Sequence, residues 1–320
     1  MKMLSLAAAT AALAVLATPA FAQTKSVAVT AIVEHPALDA ARDGVRDALK
    51  DAGFREGENL QFSYQSAQGN PATAAQIARQ LVGDRPDVIV PISTPSAQAV
   101  VAATRDIPVV FTAVTDPLGA QLVTDMEKPG GNVTGLSDMS PLAEHLALIK
   151  EITPDAKRIG IPYNPGEPNS VTVVNMMKEM AQEQGLEIVE ATATRSADVQ
   201  AAARSLVGRA DVMYIPLDNT IVSALEGVVS VADQNDIPVY AADTASVDRG
   251  AFAAVGFNYY DVGRQTGEVV ARILKGENAG DIPVRVAAGT DLVVNPAAAE
   301  AQGVKLPEAV VSRATKVIGQ

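Results

Sequence analysis

The chain nearly repeats itself. Residues 81–109 read LVGDRPDVIVPISTPSAQAVVAATRDIPV, and residues 206–239 read LVGRADVMYIPLDNTIVSALEGVVSVADQNDIPV. Each stretch runs from Leu-Val-Gly through Asp-Val and a short apolar run, then a polar turn, a helical pattern and Asp-Ile-Pro-Val. A short apolar run bounded by turn residues and followed by helical spacing is the pattern of a strand feeding a crossover helix. One supersecondary unit is thus written twice. Two similar α/β lobes that face each other leave a cleft, and a cleft between lobes is a place to hold a small molecule.

The same alternation fills the rest of the chain. Strand patterns fall over 26–33, 60–64, 87–92 and 108–112, with helical patterns over 38–52, 71–82 and 96–104 between them. After the turn Gly130-Gly131-Asn132 and a short apolar run, 133–136, the order starts afresh. Helices are expected over 142–152, 170–184, 197–207 and 221–234, and strands over 158–161, 186–191, 211–215 and 238–241. On the first of these helices Glu144-His145 is expected to face solvent. Alternating strands and helices predict parallel sheets covered by helices on both faces. The expected fold is therefore α/β, with two Rossmann-like, doubly wound lobes around a central cleft. The apolar run Phe252–Phe257 is read as carrying the chain back toward the first lobe, ahead of a helix over 261–274 closed by Gly276. The expected lobes are 23–136 with 258–290, and 137–257 with 291–320. Hinge crossings are expected near Gly135–Asp138, Gly256–Tyr259 and Thr290–Val293.

Residues 1–22 read as a signal peptide rather than as part of the fold. Lys2 precedes an apolar run from Leu4 to Leu16 that is too short to span a bilayer, and Ala20-Phe21-Ala22 is an A-x-A cleavage pattern. The expected location is the periplasm. The chain has no Cys, which excludes a lipid-anchored cysteine after the cleavage site, any disulfide and any thiolate metal site. With 37 acids against 25 Lys and Arg the net charge is −12, a surface that repels nucleic-acid phosphates. A monomer without cofactor, metal or nucleic acid is expected.

In open α/β sheets ligands bind beyond the carboxyl ends of the strands, which selects a small set of residues here. Glu34 and His35 follow the first strand, Ser93, Thr94 and Ser96 the third, and Thr115 and Asp116 the fourth. In the second lobe Tyr163, Asn164, Glu167 and Asn169 follow one strand, Asp218 and Asn219 the next, and Asp243 another. In Ser93-Thr94-Pro95-Ser96, Thr94 reads as an N-cap with Pro95 at the first helical position. Free N–H groups and the helix dipole there suit an anion such as a carboxylate. Asp218 either caps its own helix or receives an ammonium group, and Asp116 and Asp243 carry the same two readings. Together these groups suit a zwitterion. Tyr163 offers a ring for stacking. Of Tyr259-Tyr260, at least one is expected to pack beside the hinge helix.

The enzyme templates fail. The chain contains no G-x-x-x-x-G-K-[ST], G-x-G-x-x-G, H-E-x-x-H or G-x-S-x-G. Its two histidines, His35 and His145, have no evident partner for base catalysis. A binding protein, not an enzyme, is expected. The residues leave open a sugar or nucleoside binder of the same fold, and a periplasmic sensor that hands its ligand-bound form to a membrane receptor.

The segments IVEHPALDAARDG (32–44), ISTPSAQAV (92–100), TAVTDPLGA (112–120), PGGNVTGLSD (129–138) and IPYNPGEPNSV (161–171) carry a resemblance. It continues through PLDNTIVSALE (216–226), AADTASVDRGAFAAVGFNYYDVGRQTG (241–267) and PEAVVSRATKVI (307–318). Over essentially the whole chain after residue 22 the sequence resembles the tryptophan/tyrosine-type substrate-binding proteins of ABC transporters, which have the periplasmic binding protein type I fold. The resemblance implies two Rossmann-like lobes, three crossings, a ligand in the cleft, and delivery to a membrane permease driven by an ATPase. It also implies an aromatic amino acid as ligand, held by the Thr94–Ser96 turn, Thr115-Asp116, Asn164, Asp218-Asn219 and Asp243.

Overall fold

The computed structural model describes residues 24–319. The expected signal peptide, 1–22, lies outside the described residues. The first run of elements is β1 (Lys25–Ala31), α1 (Pro36–Asp51), β2 (Leu60–Ser66), α2 (Pro71–Asp84), β3 (Val88–Ile92), α3 (Thr94–Ala103), β4 (Val109–Val114) and β5 (Val133–Ser137). The second is α4 (Leu142–Ile152), β6 (Arg158–Tyr163), α5 (Pro168–Glu183), β7 (Glu187–Thr192), α6 (Val199–Leu206), β8 (Val212–Ile215), α7 (Asn219–Ser223), α8 (Leu225–Asp233), β9 (Val239–Asp243), α9 (Ala245–Asp248) and β10 (Ala253–Phe257). The chain then gives α10 (Tyr259–Leu274), β11 (Arg285–Val286), β12 (Thr290–Val294), α11 (Pro296–Ala301), α12 (Glu308–Arg313) and β13 (Lys316–Val317).

Two sheets result, ordered β11-β5-β4-β3-β1-β2 and β13-β12-β10-β9-β8-β6-β7. Through the run β5-β4-β3-β1-β2 and its counterpart β10-β9-β8-β6-β7 the order is the same. The two copies of the sequence repeat, β3–α3–β4 and β8–α7–α8–β9, therefore hold equivalent places. β3, β4, β8 and β9 are buried along their whole length, as strands covered on both faces must be. One pairing departs from the parallel rule: β12 runs antiparallel to β10.

The repeat also explains how each sheet is stitched at its amino end. Asp87, just before β3, accepts from the N–H and hydroxyl of Ser26 and from Lys25 Nζ at the start of β1. Asp211, just before β8, accepts from the N–H groups of Lys157 and Arg158 and from the Arg158 guanidinium at the start of β6. The same Asp-Val dipeptide does the same work twice. The Arg158 guanidinium, helped by the two N–H groups, holds the Asp211 carboxyl down at about 2 against partial burial.

The last segment returns to the first lobe through α10, which lies against α1 at very short range. A methyl group at Gly263 would collide with the Ala41 carbonyl, and one at Gly44 with the Tyr260 carbonyl. One at Gly267 would lie 2.6 Å from Ala48 Cβ. Three glycines thus let two backbones approach where any side chain would force them apart.

Four expectations need correction. The run Phe252–Phe257 does not carry the chain back to the first lobe: β10 pairs with β9 in the second sheet, and the return comes at Asn258. The third crossing is not Thr290–Val293, which lies inside β12 and pairs with β10; the chain passes between the sheets at 287–289, where Gly289 has φ +84°. The helix expected over 221–234 is broken at Ala224 into α7 and α8. Arg249 donates to the Val222 carbonyl at 2.7 Å, taking the acceptor that a continuous helix would use. His145 is buried, not solvated. It shares the stripe Leu142, His145, Leu146, Ile149 that faces the second sheet, and its ring bonds Tyr214 Oη at 2.8 Å and the Val255 carbonyl at 2.7 Å. Burial holds its pKa to about 4.

Two outcomes follow from this packing. Gly263→Ala should lower stability by about 1–3 kcal/mol through overpacking of the α1–α10 seam, read as a lower denaturant midpoint; an unchanged midpoint would show that the seam has slack. The neutral His145 contributes stability that is complete above 6.5 and is lost as pH falls toward about 4. Asp211 contributes stability that is complete above 3.8 and is lost toward about 2. Melting temperature against pH should therefore fall in two stages, and His145→Gln should shrink the upper one.

Candidate ligand site between the lobes

The carboxyl ends of both sheets border a gap between the lobes. Its lining follows the strand order. On the first sheet Asp138 follows β5, Thr115 follows β4 and His35 follows β1. On the second, Tyr259 follows β10, Asp243 ends β9, Asp218 and Asn219 follow β8, and Asn169 follows β6. Leu38, Leu217 and Val222 supply apolar wall between these groups.

Three acids in this lining are buried. Asp138 accepts from Thr115 Oγ1 at 3.1 Å and from Tyr259 Oη at 2.5 Å. Burial pushes its carboxyl up, and those two bonds oppose the shift. Asp243 accepts from the Ser246 N–H at 2.9 Å and Oγ at 2.5 Å, and burial raises it as well. Asp218 accepts from the N–H groups of Asn164 at 2.6 Å and Ile221 at 2.8 Å. Burial, then the charge of Glu167, raises it well above the usual carboxylate range. Glu167 itself clamps the start of α7, accepting from the N–H and side chain of both Asn219 and Thr220. All of these bonds come from neutral donors. Arg249 acts on Asp243 from a distance, but its guanidinium is bonded to Glu226. Buried carboxylates without a cationic partner are costly, and a cation offered by a ligand removes that cost.

The opposite chemistry sits at the start of α3. The N-cap is Ser93, not Thr94 as expected, because β3 ends at Ile92 and the turn is compressed into one residue at φ 81°, ψ 156°. Thr94 is then the first helical residue. The Ser93 side chain makes no capping bond. The hydroxyls of Ser93, Thr94 and Ser96 are all buried and have no hydrogen-bond partner among the described residues. On the adjacent strand Ala113 also has positive φ, 53°, and the Ser93 N–H donates to the Thr112 carbonyl at 2.9 Å. Two strained non-glycine residues side by side at strand ends are the kind of backbone that persists where it positions a ligand.

Of the residues selected from sequence, the structure brings Thr115, Asp218, Asn219 and Asp243 into the gap's lining. Ser93, Thr94 and Ser96 lie buried at the end of the neighbouring strand. Four others lie elsewhere. Glu34 is exposed and accepts from Gln68 Nε2 at 3.4 Å. The Asp116 carboxylate is taken by the Gly119 N–H in its own turn. Tyr163 donates to Glu190 across the β6–β7 edge, which pushes its hydroxyl up to about 12. Asn164 faces the wider outer opening and ties its loop to Asp218 and Thr220. The other lining residues are Asp138, which read as hinge, Tyr259, left open between packing and stacking, His35, which could line the cleft but had no partner for base catalysis, and Asn169, which stood in the strand-end set without a role. Burial pushes the His35 imidazole down to about 3, with Arg249 adding to the shift, so it is neutral.

A model of the ABC transporter substrate binding protein family matches residues 26–318. The chain belongs to this family. Its members bind a small solute and work with a permease and an ATPase; they are binders rather than enzymes, and generally extracytoplasmic. This substrate-binding protein is 44% identical over 271 residues to a tyrosine-binding protein of Clostridioides difficile, covering 85% of this chain and 79% of the relative. It superposes on a Streptococcus pneumoniae structure in complex with L-Trp with a TM-score of 0.89 at 35% identity, over 92% of this chain and all of the other. A ligand-free, open structure of a Clostridium difficile substrate-binding protein gives a TM-score of only 0.69 at 43% identity, over 92% of this chain and 99% of that one. The more similar sequence superposes less well, so arrangement and not divergence separates the two. The present arrangement is nearer the one that holds a ligand.

Proposed function

We propose that this substrate-binding protein takes an aromatic α-amino acid as a zwitterion and presents it, with the lobes shut, to a membrane permease. One observation carries the reading: groups suited to a cation line the gap at the strand ends, and groups suited to an anion stand at the end of β3, at the start of α3. The unpartnered hydroxyls of Ser93, Thr94 and Ser96, with the N-terminal dipole of α3, suit the α-carboxylate. The buried acids Asp138, Asp218 and Asp243 suit the α-ammonium. A sugar or nucleoside would leave those acids without a cation. The tyrosine-binding relative and the L-Trp complex support the aromatic side chain.

Closure follows from contacts that exist only when both lobes meet the ligand, so binding shifts the population toward the shut form. The lobes would pivot at 138–141, at Asn258 and at 287–289. The protein would work as a monomer in the periplasm, delivered there by residues 1–22 and left unanchored for want of a cysteine; Ala20-Phe21-Ala22 supports this reading.

The direct test is thermal shift against the common amino acids, sugars and nucleosides. A ligand at a hundred times its Kd stabilises by about 2.7 kcal/mol, so tyrosine or tryptophan should raise Tm clearly. Stabilisation by sugars alone would overturn the reading. Asp138→Asn should weaken amino-acid binding about 10- to 100-fold, the usual worth of a charged hydrogen bond. Because burial raises all three acids, ammonium binding to their ionised forms releases protons, and affinity should fall as pH is lowered. Calorimetry showing the same affinity down to the pH at which the protein unfolds would remove the acids from the ammonium site.

A further inference from the structure

We infer that His35 and Asn169 form a hydrogen-bonding end to the gap that selects an aromatic amino acid carrying an N–H or O–H on its ring and discriminates against phenylalanine. This rests on the amino-acid reading above and adds to it the choice among aromatic ligands.

Strand order supplies the direction. His35 follows β1 and Asn169 follows β6, which hold equivalent places in the two sheets. Asp138 and Tyr259 follow β5 and β10, three strand steps away, or about 14 Å at the usual spacing. The Ser93–Ser96 turn follows β3, one step from β1. A ligand with its ammonium toward Asp138 and Asp243 and its carboxylate at the start of α3 points its side chain toward β1 and β6, past Asp218 at the end of β8. The wall it passes is apolar there, built from Leu38, Leu217 and Val222, as a ring requires.

At the end of that path two buried polar atoms have no partner among the described residues, His35 Nδ1 and Asn169 Oδ1. Their residues are 7% and 4% exposed and come from opposite lobes. Asn169 Nδ2 donates to the Leu217 carbonyl at 2.7 Å, which fixes the amide and leaves Oδ1 as an acceptor. The His35 side chain makes no capping bond to α1, although it occupies the N-cap position. As a neutral imidazole it offers Nδ1 as donor or acceptor, according to tautomer. A phenol hydroxyl satisfies both atoms at once, by donating to Asn169 Oδ1 and accepting from His35 Nδ1–H. An indole N–H satisfies one, and a phenyl ring satisfies neither. A site built to bond a ligand O–H or N–H rejects the analogue lacking it, because its own buried polar groups are left unpaired.

The test is calorimetric titration of the full protein with two matched pairs: L-tyrosine with L-phenylalanine, and L-tryptophan with 1-methyl-L-tryptophan. In the unaltered protein at least one polar-tipped ligand should bind tenfold or more tighter than its partner. His35→Phe should narrow that ratio to below about threefold by weakening the polar-tipped ligand while phenylalanine affinity holds, and His35→Gln should restore part of it. Asn169→Leu is the second variant, with Tm checking that the loss of the Leu217 bond is tolerated; if it does not fold, His35→Phe decides. Equal affinity within both pairs, or an undiminished ratio in His35→Phe, overturns this inference and leaves the amino-acid reading standing. Failure of every amino acid to bind overturns both.

Discussion

The central strands of both sheets are covered on two faces, so only side chains at their ends reach a ligand. Chemistry is forced to the strand ends. The amino ends are already occupied: Asp87 and Asp211 tie β1 to β3 and β6 to β8 with their carboxylates. That leaves the carboxyl ends, where β3 and β8 each run straight into a helix start. Because the two sheets share one strand order, their free edges present groups in matching sequence. A gap between them inherits an axis, with Asp138 and Tyr259 at the β5 and β10 end and His35 and Asn169 at the β1 and β6 end. The site's polarity is a consequence of topology before it is a consequence of any single residue.

The helix starts on the two edges are finished differently, and the difference decides which charge each attracts. At α7 the cap is Asp218, and Glu167 satisfies the remaining N–H groups, so the dipole is neutralised from within the protein. At α3 the cap position is a serine bent into left-handed backbone, with three hydroxyls unspent. Equivalent units of a duplicated fold thus hold opposite electrostatic roles. Two differences of side-chain chemistry separate them: Ser against Asp at the cap, and Glu167, which reaches α7.

Much of this was legible in the sequence. The repeat located both lobes, and the strand-end rule placed Thr115, Asp218, Asn219 and Asp243 in the lining. What escaped it was whatever depended on a partner far along the chain. Asp138 read as hinge because its role needs Tyr259, which stands 121 residues later. Asp116 read as a site residue because nothing in the pattern shows that Gly119 claims its carboxylate. The break at Ala224 depends on Arg249 reaching back to Val222. His145 is the exception: the stripe with Leu142, Leu146 and Ile149 was there to be read, and the charge of its neighbour Glu144 drew the pair to the wrong face.

The hydrogen bond from Tyr259 to Asp138 joins the residue after one lobe crossing to the residue that opens another. The same carboxylate borders the gap. Whatever draws on its charge in the gap competes with the Tyr259 phenol for it. A guest in the gap therefore acts directly on a bond that spans two of the crossings.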